Sequence, residues 1–177
     1  VHQHFMLIPN MTGIENVILG MENKSILDIG AAVEKFLKLS EKYGMKINPY
    51  EKVANLSVGQ QQRMEILKVL YKGSDLIILD EPTAILTPEE VESLYAIIHT
   101  LIEEGRTVIF ITHKMKEVMD ICVRCTVLRN GKSVKSLAIP EIESVEELAR
   151  LMVGREVELH LKKKECHPGK KVPVSYT

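Results

Sequence analysis

Two adjacent acidic residues, Asp80 and Glu81, could hold a divalent cation and activate a water molecule. They directly follow an apolar run at residues 76–79, and such a run is typical of a strand buried on both faces. Open α/β sheets bind their ligands at the carboxyl ends of parallel strands, where a carboxylate pair suits Mg²⁺ and a water nucleophile. The alternative is that both carboxylates are solvated and only mark the end of the strand.

His113 follows the next apolar run, residues 107–111, in a similar way. If the two runs are neighbouring parallel strands, their carboxyl ends meet at one edge of the sheet. A metal-binding acid, a second carboxylate and an imidazole then converge in one cleft. On its own, a polar His after a strand is more often a helix cap, so this interpretation depends on Asp80 and Glu81.

A third motif, Ser57-Val58-Gly59-Gln60, could bind an anion at the start of a helix. Backbone N–H groups and the positive end of the helix attract negative charge. The Ser57 hydroxyl adds a donor, and Gly59 allows a ligand to approach closely. The alternative is an ordinary helix with a serine cap.

The order of the predicted elements positions these motifs. A strand at residues 76–79, a helix from Thr87 to Gly105 and a strand at residues 107–111 form a right-handed parallel crossover unit. Thr87 and Glu90 form the capping box that begins this helix. The unit therefore predicts that both acidic residues and His113 share one sheet edge.

Cap and turn residues predict four further helices and a hairpin. The helices are expected at residues 12–20, 28–44, 60–72 and 144–153, and the hairpin at residues 123–137. Thr12 and Glu15 form a capping box for the first helix. Asn130-Gly131 is typical of a type I′ hairpin turn. The first third of the chain is therefore expected to be helical.

Composition excludes several classes of function. The chain has 177 residues, 45% of them hydrophobic, which is enough for a core and excludes disorder of the whole chain. Its net charge is -1, so no global field attracts nucleic acid. No apolar run is longer than five residues, whereas a membrane span needs roughly 20. Three cysteines, without a secretory segment at the start, favour a reducing compartment, and we expect a cytoplasmic protein.

Considered together, the motifs resemble those of ATP-binding-cassette (ABC) transporter ATPases from residue 1 to about residue 154. Residues 56–63 are similar to the signature motif, and residues 76–81 to the Walker B strand with its catalytic glutamate. His113 is similar to the switch histidine, and Gln3 to the Q-loop glutamine. The resemblance therefore rests on four motifs in the order and spacing of the family.

Sequence variants indicate one subgroup of this family. Val58 stands where most members have a second glycine, and residues 2–5 and 84–88 also resemble the tandem ATPase subunits of importers for simple sugars and nucleosides. Thr87 stands where many members carry the D-loop aspartate. The resemblance implies an ATPase that couples ATP hydrolysis to the import of a small solute.

The resemblance also implies a role for each catalytic and metal-binding residue. Asp80 would hold Mg²⁺ through water, and Gln3 would sense both the metal and the γ-phosphate of ATP. Glu81 would polarise the attacking water, and His113 would stabilise the transferring phosphoryl group. These assignments follow from the positions of the residues within the family motifs.

The signature residues would act on a nucleotide held elsewhere. Ser57, Val58, Gly59 and Gln60 would bind ATP across an interface, with Ser57 and Gly59 gripping the γ-phosphate of a nucleotide held by a second ABC ATPase domain. Other implied partners are integral membrane permease subunits and, indirectly, a solute-binding protein, but no nucleic acid. The implied location is cytoplasmic, peripheral on the inner face of the cell membrane.

The implied fold is an α/β, P-loop NTPase-like ABC ATPase core, a parallel sheet with flanking helices, together with a helical subdomain. The N-terminal P-loop part is missing. The predicted divisions are a Q-loop segment at 1–9, a helical subdomain at 10–55, the rest of the ATPase domain at 56–153 and a linker or tail at 154–177.

The P-loop motif G-x-x-x-x-G-K-[ST], which wraps the phosphates of ATP, does not occur in these residues. Gly131-Lys132-Ser133 lies between two predicted strands rather than between a strand and a helix. The chain alone is therefore expected to be inactive as an ATPase. A non-catalytic remnant or regulatory module that pairs with an intact ABC ATPase domain is the alternative.

A second class, the DNA-repair and chromosome-associated relatives, inserts long heptad coils or paired zinc CxxC modules. Neither occurs here, because Cys122-x-x-Cys125 is a single pair. Core or surface thiols therefore account for these cysteines better than a zinc site.

Overall fold

The computed structural model describes residues 6–20 and 28–154. Gln3 and the predicted linker after residue 154 therefore lie outside the described residues. The chain divides into two compact units, Val1–Cys122 and Val123–Thr177, which are described one at a time. The predicted divisions after residues 9, 55 and 153 stay a prediction.

Helices form the first part of the first unit. They are α1 (Gly13–Ile18), α2 (Ile29–Lys42) and α3 (Val58–Tyr71), with a 3₁₀ turn at Val53–Asn55. The predicted caps are confirmed. Thr12 and Glu15 form the capping box of α1, and the Asp28 carboxylate accepts a hydrogen bond from the Ala31 N–H at the start of α2. Both caps satisfy N–H groups that a helix start leaves without partners.

A parallel strand pair follows the helices. These elements are β1 (Leu76–Asp80), α4 (Pro88–Glu103), β2 (Thr107–Ile111) and α5 (Met115–Ile121). Ile78 pairs with Ile109, and Asp80 pairs with Ile111. Helix α4 packs on the sheet through an edge-to-face contact between Tyr95 and Phe110, with 6.5 Å between ring centroids. The predicted parallel unit is confirmed, whereas no bounds were predicted for α5.

One core joins the helices to the strands of the first unit. Its largest fully buried side chains are Phe36, Met45, Met64, Ile66, Leu67, Ile77, Leu79, Ile98 and Leu101. Burying a large apolar side chain stabilises a fold by roughly 1.5–3 kcal/mol. These contacts hold α3 and α4 against the sheet and thereby fix the ends of β1 and β2.

The prediction that the strands are buried on both faces was wrong. Ile77 and Leu79 are buried, but the exposed fractions of Ile78, Ile109 and Ile111 are 45%, 45% and 46%. Side chains alternate between the two faces of a strand, so one face packs on the core and the other is open. An apolar run shows that a strand is hydrophobic, but it does not show what covers each face.

The second unit is a hairpin with a helix. Strands β3 (Arg124–Arg129) and β4 (Lys132–Ala138) pair antiparallel, and α6 (Val145–Val153) follows. Asn130 and Gly131 both have positive φ, 52° and 72°, as the predicted type I′ turn requires. The Arg129 guanidinium donates to the Leu151 carbonyl at 3.1 Å, which ties α6 to the hairpin. A register shift between Val127 and Leu128 was not predicted.

None of the described helices is both long enough and apolar enough to cross a membrane.

Candidate functional site

Glu81 and His113 are in direct contact at the carboxyl ends of the two parallel strands. The Glu81 N–H donates to the Ile111 carbonyl at 2.9 Å, which extends the strand ladder by one residue. The His113 Nδ1 atom lies 2.9 Å from Glu81 Oε1. An ionised carboxylate can only accept a hydrogen bond, so this contact suits the tautomer of His113 that carries its proton on Nδ1. Pairing of β1 with β2 therefore brings both predicted catalytic side chains together.

The backbone of Glu81 has an unusual conformation. Its φ is 42°, in the left-handed region that residues other than glycine rarely adopt. The Ala84 N–H donates to the Glu81 carbonyl at 3.2 Å, so the chain turns sharply after the strand. Strained backbone of this kind concentrates at functional sites, and here it occurs at the candidate catalytic residue.

Asp80 ends β1 next to this pair and is half-buried. Within residues 6–20 and 28–154, no side-chain hydrogen bond or ion pair of Asp80 is found. Its carboxylate is therefore available to a cation. No group of three or more His, Cys, Asp and Glu side chains in the described part of the chain could hold a metal ion. Mg²⁺ is usually bound by one or two carboxylates together with water and substrate phosphates, and Asp80 offers one carboxylate.

The signature motif begins α3 as a fully formed capping box. Ser57 Oγ accepts from the Gln60 N–H at 3.3 Å, and Gln60 Oε1 accepts from the Ser57 N–H at 2.9 Å. Ser57 and Val58 are exposed, whereas Gly59 is buried. The serine-capped helix is therefore present, and it leaves the Ser57 hydroxyl at an accessible helix start.

Gly59 is buried because the carboxylate of Glu90 lies against it. A side chain at this position would overlap Glu90 Oε1. The same carboxylate accepts a hydrogen bond from the Thr87 N–H at 3.1 Å and caps α4. A glycine at position 59 thus lets the starts of α3 and α4 meet, a packing role that the sequence analysis did not identify.

A buried carboxylate behind the catalytic pair also escaped the sequence analysis. Glu117 of α5 accepts hydrogen bonds from the Thr83 hydroxyl at 2.5 Å and the Thr112 hydroxyl at 2.9 Å. The Lys114 ammonium lies 3.0 Å from Glu117 Oε1. The one signal in the sequence is that Glu117 lies four residues before Ile121, a spacing that places both on one face of a helix. In the structure, both side chains are buried.

Two further groups, one in each unit, have shifted pKa values. Burial, aided by the nearby Glu117 and Asp120 carboxylates, raises the pKa of Tyr95 to about 12, so this side chain is a neutral phenol in the core. Burial also raises the pKa of the Cys125 thiol.

Comparison with known protein families supports the cassette fold. The ABC transporter family model matches residues 1–84. The chain also resembles a dimeric ATP-binding cassette, MJ0796, in a post-hydrolysis state bound to ADP and Pi. The TM-score is 0.68 at 26% identity, over 78% of this chain and 61% of that chain.

Curated relatives extend the match over almost the whole chain. The nucleoside import ATP-binding protein NupA of Lactococcus lactis subsp. cremoris is 48% identical over 170 residues, 95% of this chain and 33% of that protein. The guanosine import ATP-binding protein NupO of Bacillus subtilis is 49% identical over 174 residues, 97% of this chain and 34% of that protein. The chain spans about one third of the length of these relatives. Residues 1–84 thus match the ABC transporter family, and almost the whole chain is similar to part of these import ATP-binding proteins.

Proposed function

We propose that this chain is part of the ATP-hydrolysing subunit of an ABC importer. The observation that carries this proposal is the contact of 2.9 Å between Glu81 and His113 at the carboxyl ends of β1 and β2. A carboxylate in this position can take a proton from an attacking water. Loss of a positioned general base costs about 10²–10⁴ in rate.

His113 and Asp80 act beside Glu81. The imidazole of His113 would orient the Glu81 carboxylate and help to stabilise the phosphoryl group that is transferred. Asp80 would hold Mg²⁺, which would supply positive charge beside the phosphates of ATP. Gln3, outside the described residues, completes the proposed set as a sensor of metal and γ-phosphate.

The signature residues Ser57, Val58, Gly59 and Gln60 bind ATP that is held by a second ATPase domain. In support, the exposed residue Ser57 is the N-cap of α3, a helix of 14 residues. Backbone N–H groups and the helix dipole attract phosphate at such a helix start. The similar MJ0796 cassette is a dimer. The Ser57 hydroxyl is therefore part of an ATP site that forms only when two domains close.

The transported solute is a nucleoside or a simple sugar. The two relatives named for nucleoside and guanosine import are 48% and 49% identical to this chain, whereas a relative named for ribose import is 37% identical. This difference favours a nucleoside. The subunit sits on the cytoplasmic face of the membrane, bound to permease subunits that receive solute from a solute-binding protein.

A comparison of two carboxylate variants tests the proposed function. The protein used, called the complete polypeptide below, carries an ATPase segment with a P-loop motif joined before residue 1. Asp80→Asn is expected to weaken Mg²⁺-dependent ATP binding. Glu81→Gln keeps the side-chain shape, so ATP affinity is retained, but single-turnover hydrolysis falls about 10²–10⁴-fold.

ATP affinity and single-turnover rates are measured side by side for both variants and the unmodified protein. Hydrolysis by Glu81→Gln within a few-fold of the unmodified rate contradicts the role of Glu81. A complete polypeptide that neither binds nor hydrolyses ATP, yet still pairs with an intact ABC ATPase domain, favours the non-catalytic module instead. The absence of a P-loop motif from the 177 residues is the observation behind that second candidate.

A further inference from the structure

We propose that Glu117 is a positioning residue that holds Glu81 and His113 in contact during ATP hydrolysis. The inference rests on the proposed function, because it concerns the same catalytic pair. The hydrogen bonds of Glu117 go to other residues, Thr83 and Thr112. It acts through the two segments that carry them, one after β1 and one after β2.

Each segment donates a hydroxyl to the same buried carboxylate. Thr83, two residues after Glu81, donates to Glu117 Oε1 at 2.5 Å. Thr112, directly before His113, donates to Glu117 Oε2 at 2.9 Å. One carboxylate thus joins the loop that follows Glu81 to the residue that precedes His113.

Lys114 closes the same network. Its ammonium lies 3.0 Å from Glu117 Oε1 and donates to both the carbonyl and the hydroxyl of Thr83 at 3.1 Å. The Lys114 N–H donates to the Thr112 hydroxyl at 3.0 Å. Glu117 is 7% exposed, and its two oxygens have three donors between them. A buried charge with this set of partners is stable, and removal of the charge leaves several donors without an acceptor.

The contact between Glu81 and His113 needs such support. The exposed fractions of the His113 and Glu81 side chains are 63% and 30%, and an exposed ion pair contributes only about 0–1 kcal/mol. Glu81 is also held in a left-handed backbone conformation, with φ at 42°. The weak pair does not by itself fix the geometry of the two segments, whereas the buried network around Glu117 does.

The main test compares Glu117→Ala, Glu117→Gln and Glu103→Ala in the complete polypeptide. Glu103 is an exposed residue of α4 and serves as the matched control. Glu117→Ala is expected to lower single-turnover hydrolysis about tenfold to hundredfold, because a misplacement near 1 Å has that effect, while ATP affinity stays within about twofold. Glu117→Gln is expected to lower the hydrolysis rate less than Glu117→Ala, because its amide oxygen can still accept a hydrogen bond from Thr83.

A double-mutant cycle with His113→Ala separates positioning from general stability. If Glu117 acts through the pair, Glu117→Ala adds little to the loss already caused by His113→Ala. A readout without turnover uses protein labelled with ¹⁵N-histidine. The imidazole resonances of His113 are expected to move in Glu117→Ala in the same direction as in Glu81→Gln, and to stay in place in Glu103→Ala.

A second pair of variants serves if Glu117→Ala does not fold. Thr112→Val removes the hydroxyl that joins Glu117 to the segment of His113, and Thr112→Ser keeps it. We expect Thr112→Val to reproduce the loss of hydrolysis and the resonance shift, and Thr112→Ser to restore both.

The outcomes distinguish this inference from the proposed function. If Glu81→Gln abolishes hydrolysis but the Glu117 and Thr112 variants keep the unmodified rate and His113 resonances, the positioning role is wrong and the proposed function stands. The positioning role is also wrong if Glu117→Ala lowers the hydrolysis rate by the same factor in the unmodified protein and in the His113→Ala protein. If Glu81→Gln itself leaves hydrolysis intact, both fail.

Discussion

Glu81 combines a side chain in the candidate site with a backbone conformation that most residues avoid. Its φ of 42° costs an L-residue roughly 1–2 kcal/mol, whereas glycine adopts this region readily. Replacing Glu81 with glycine is therefore expected to raise the free energy of unfolding by about 1 kcal/mol after loss of the weak contact with His113. If Glu81 has the proposed role, the same change is expected to abolish hydrolysis by the complete polypeptide.

Urea unfolding followed by circular dichroism checks this prediction, with Glu103→Gly as the control. Glu103 lies within α4, and glycine in a helix lowers stability by about 1 kcal/mol. The two variants should thus shift the unfolding midpoint in opposite directions. A Glu81→Gly protein less stable than the unmodified one means that no strain is stored at this residue.

The sequence indicates some residues of the site and not others for a physical reason. Asp80, Glu81 and His113 each follow an apolar run, so parallel pairing alone is enough to bring them to one edge. Glu117 gives no comparable signal. The proposed role of Glu117 depends on the burial of its side chain on α5. This burial is a result of tertiary packing, which local sequence spacing does not reveal.

The ends of α2 and α4 are joined through one carboxylate. Glu104, directly after α4, accepts from the Tyr43 hydroxyl at 2.6 Å and pairs with Lys42 at 2.9 Å. The hydrogen bonds from Tyr43 and Lys42 hold the pKa of Glu104 below its usual 4.5. This contact connects the predicted helical subdomain to the helix that packs on the sheet.

The Glu104 contact predicts a pH-dependent contribution to stability. A carboxylate with a lowered folded pKa stabilises the fold fully above 4.5, and this contribution is lost as the pH falls through the folded pKa. Glu104→Gln is expected to lower the free energy of unfolding by about 1 kcal/mol near neutral pH. The difference from the unmodified protein should narrow in acid.

Unfolding curves at neutral and acidic pH measure that difference, with Glu103→Gln as the neighbouring exposed control. The control is expected to show no change with pH beyond that of the unmodified protein. The proposed charge contact is contradicted if the difference in the free energy of unfolding between Glu104→Gln and the unmodified protein stays constant or widens in acid.

Elements were easier to predict than the faces they present. Capping residues such as Thr12, Asp28 and Thr87 begin the helices as expected because their side chains bond to N–H groups a few residues away, a local interaction. What packs against each face of β1 and β2, in contrast, depends on elements that are distant in the sequence. The open face with Ile109 and Ile111 therefore could not be predicted from the apolar runs alone.

Across the whole assembly, Ser57 is expected to act on ATP bound by another domain. Ser57→Arg should block hydrolysis in the complete polypeptide while ATP binding by its own P-loop stays largely intact, because bulk and charge obstruct only the closure of two domains. ATP affinity and steady-state hydrolysis are the measurements. Ser57→Ala is the comparison, because it removes the cap, at a cost of about 1 kcal/mol, and the proposed hydroxyl contact but adds no bulk. Its loss of hydrolysis is therefore expected to be smaller than that of Ser57→Arg. Equal loss of binding and hydrolysis in Ser57→Arg refutes action across an interface.

The open sheet face should govern how the 177-residue chain behaves in solution. Leu76, Ile78, Ile109 and Ile111 lie on one face of the parallel pair, with exposed fractions of 45–51%. These four adjacent apolar side chains form an exposed patch, and such patches favour association between protein molecules. We expect the chain to self-associate at micromolar concentration, and the double change Ile109→Thr and Ile111→Thr to weaken association while keeping a β-branched strand. Sedimentation velocity measures both proteins, with Leu128→Thr as a control at a 70% exposed position of the hairpin. A monodisperse monomer for the unmodified chain, or an equal effect of the control, shows that this face does not drive association.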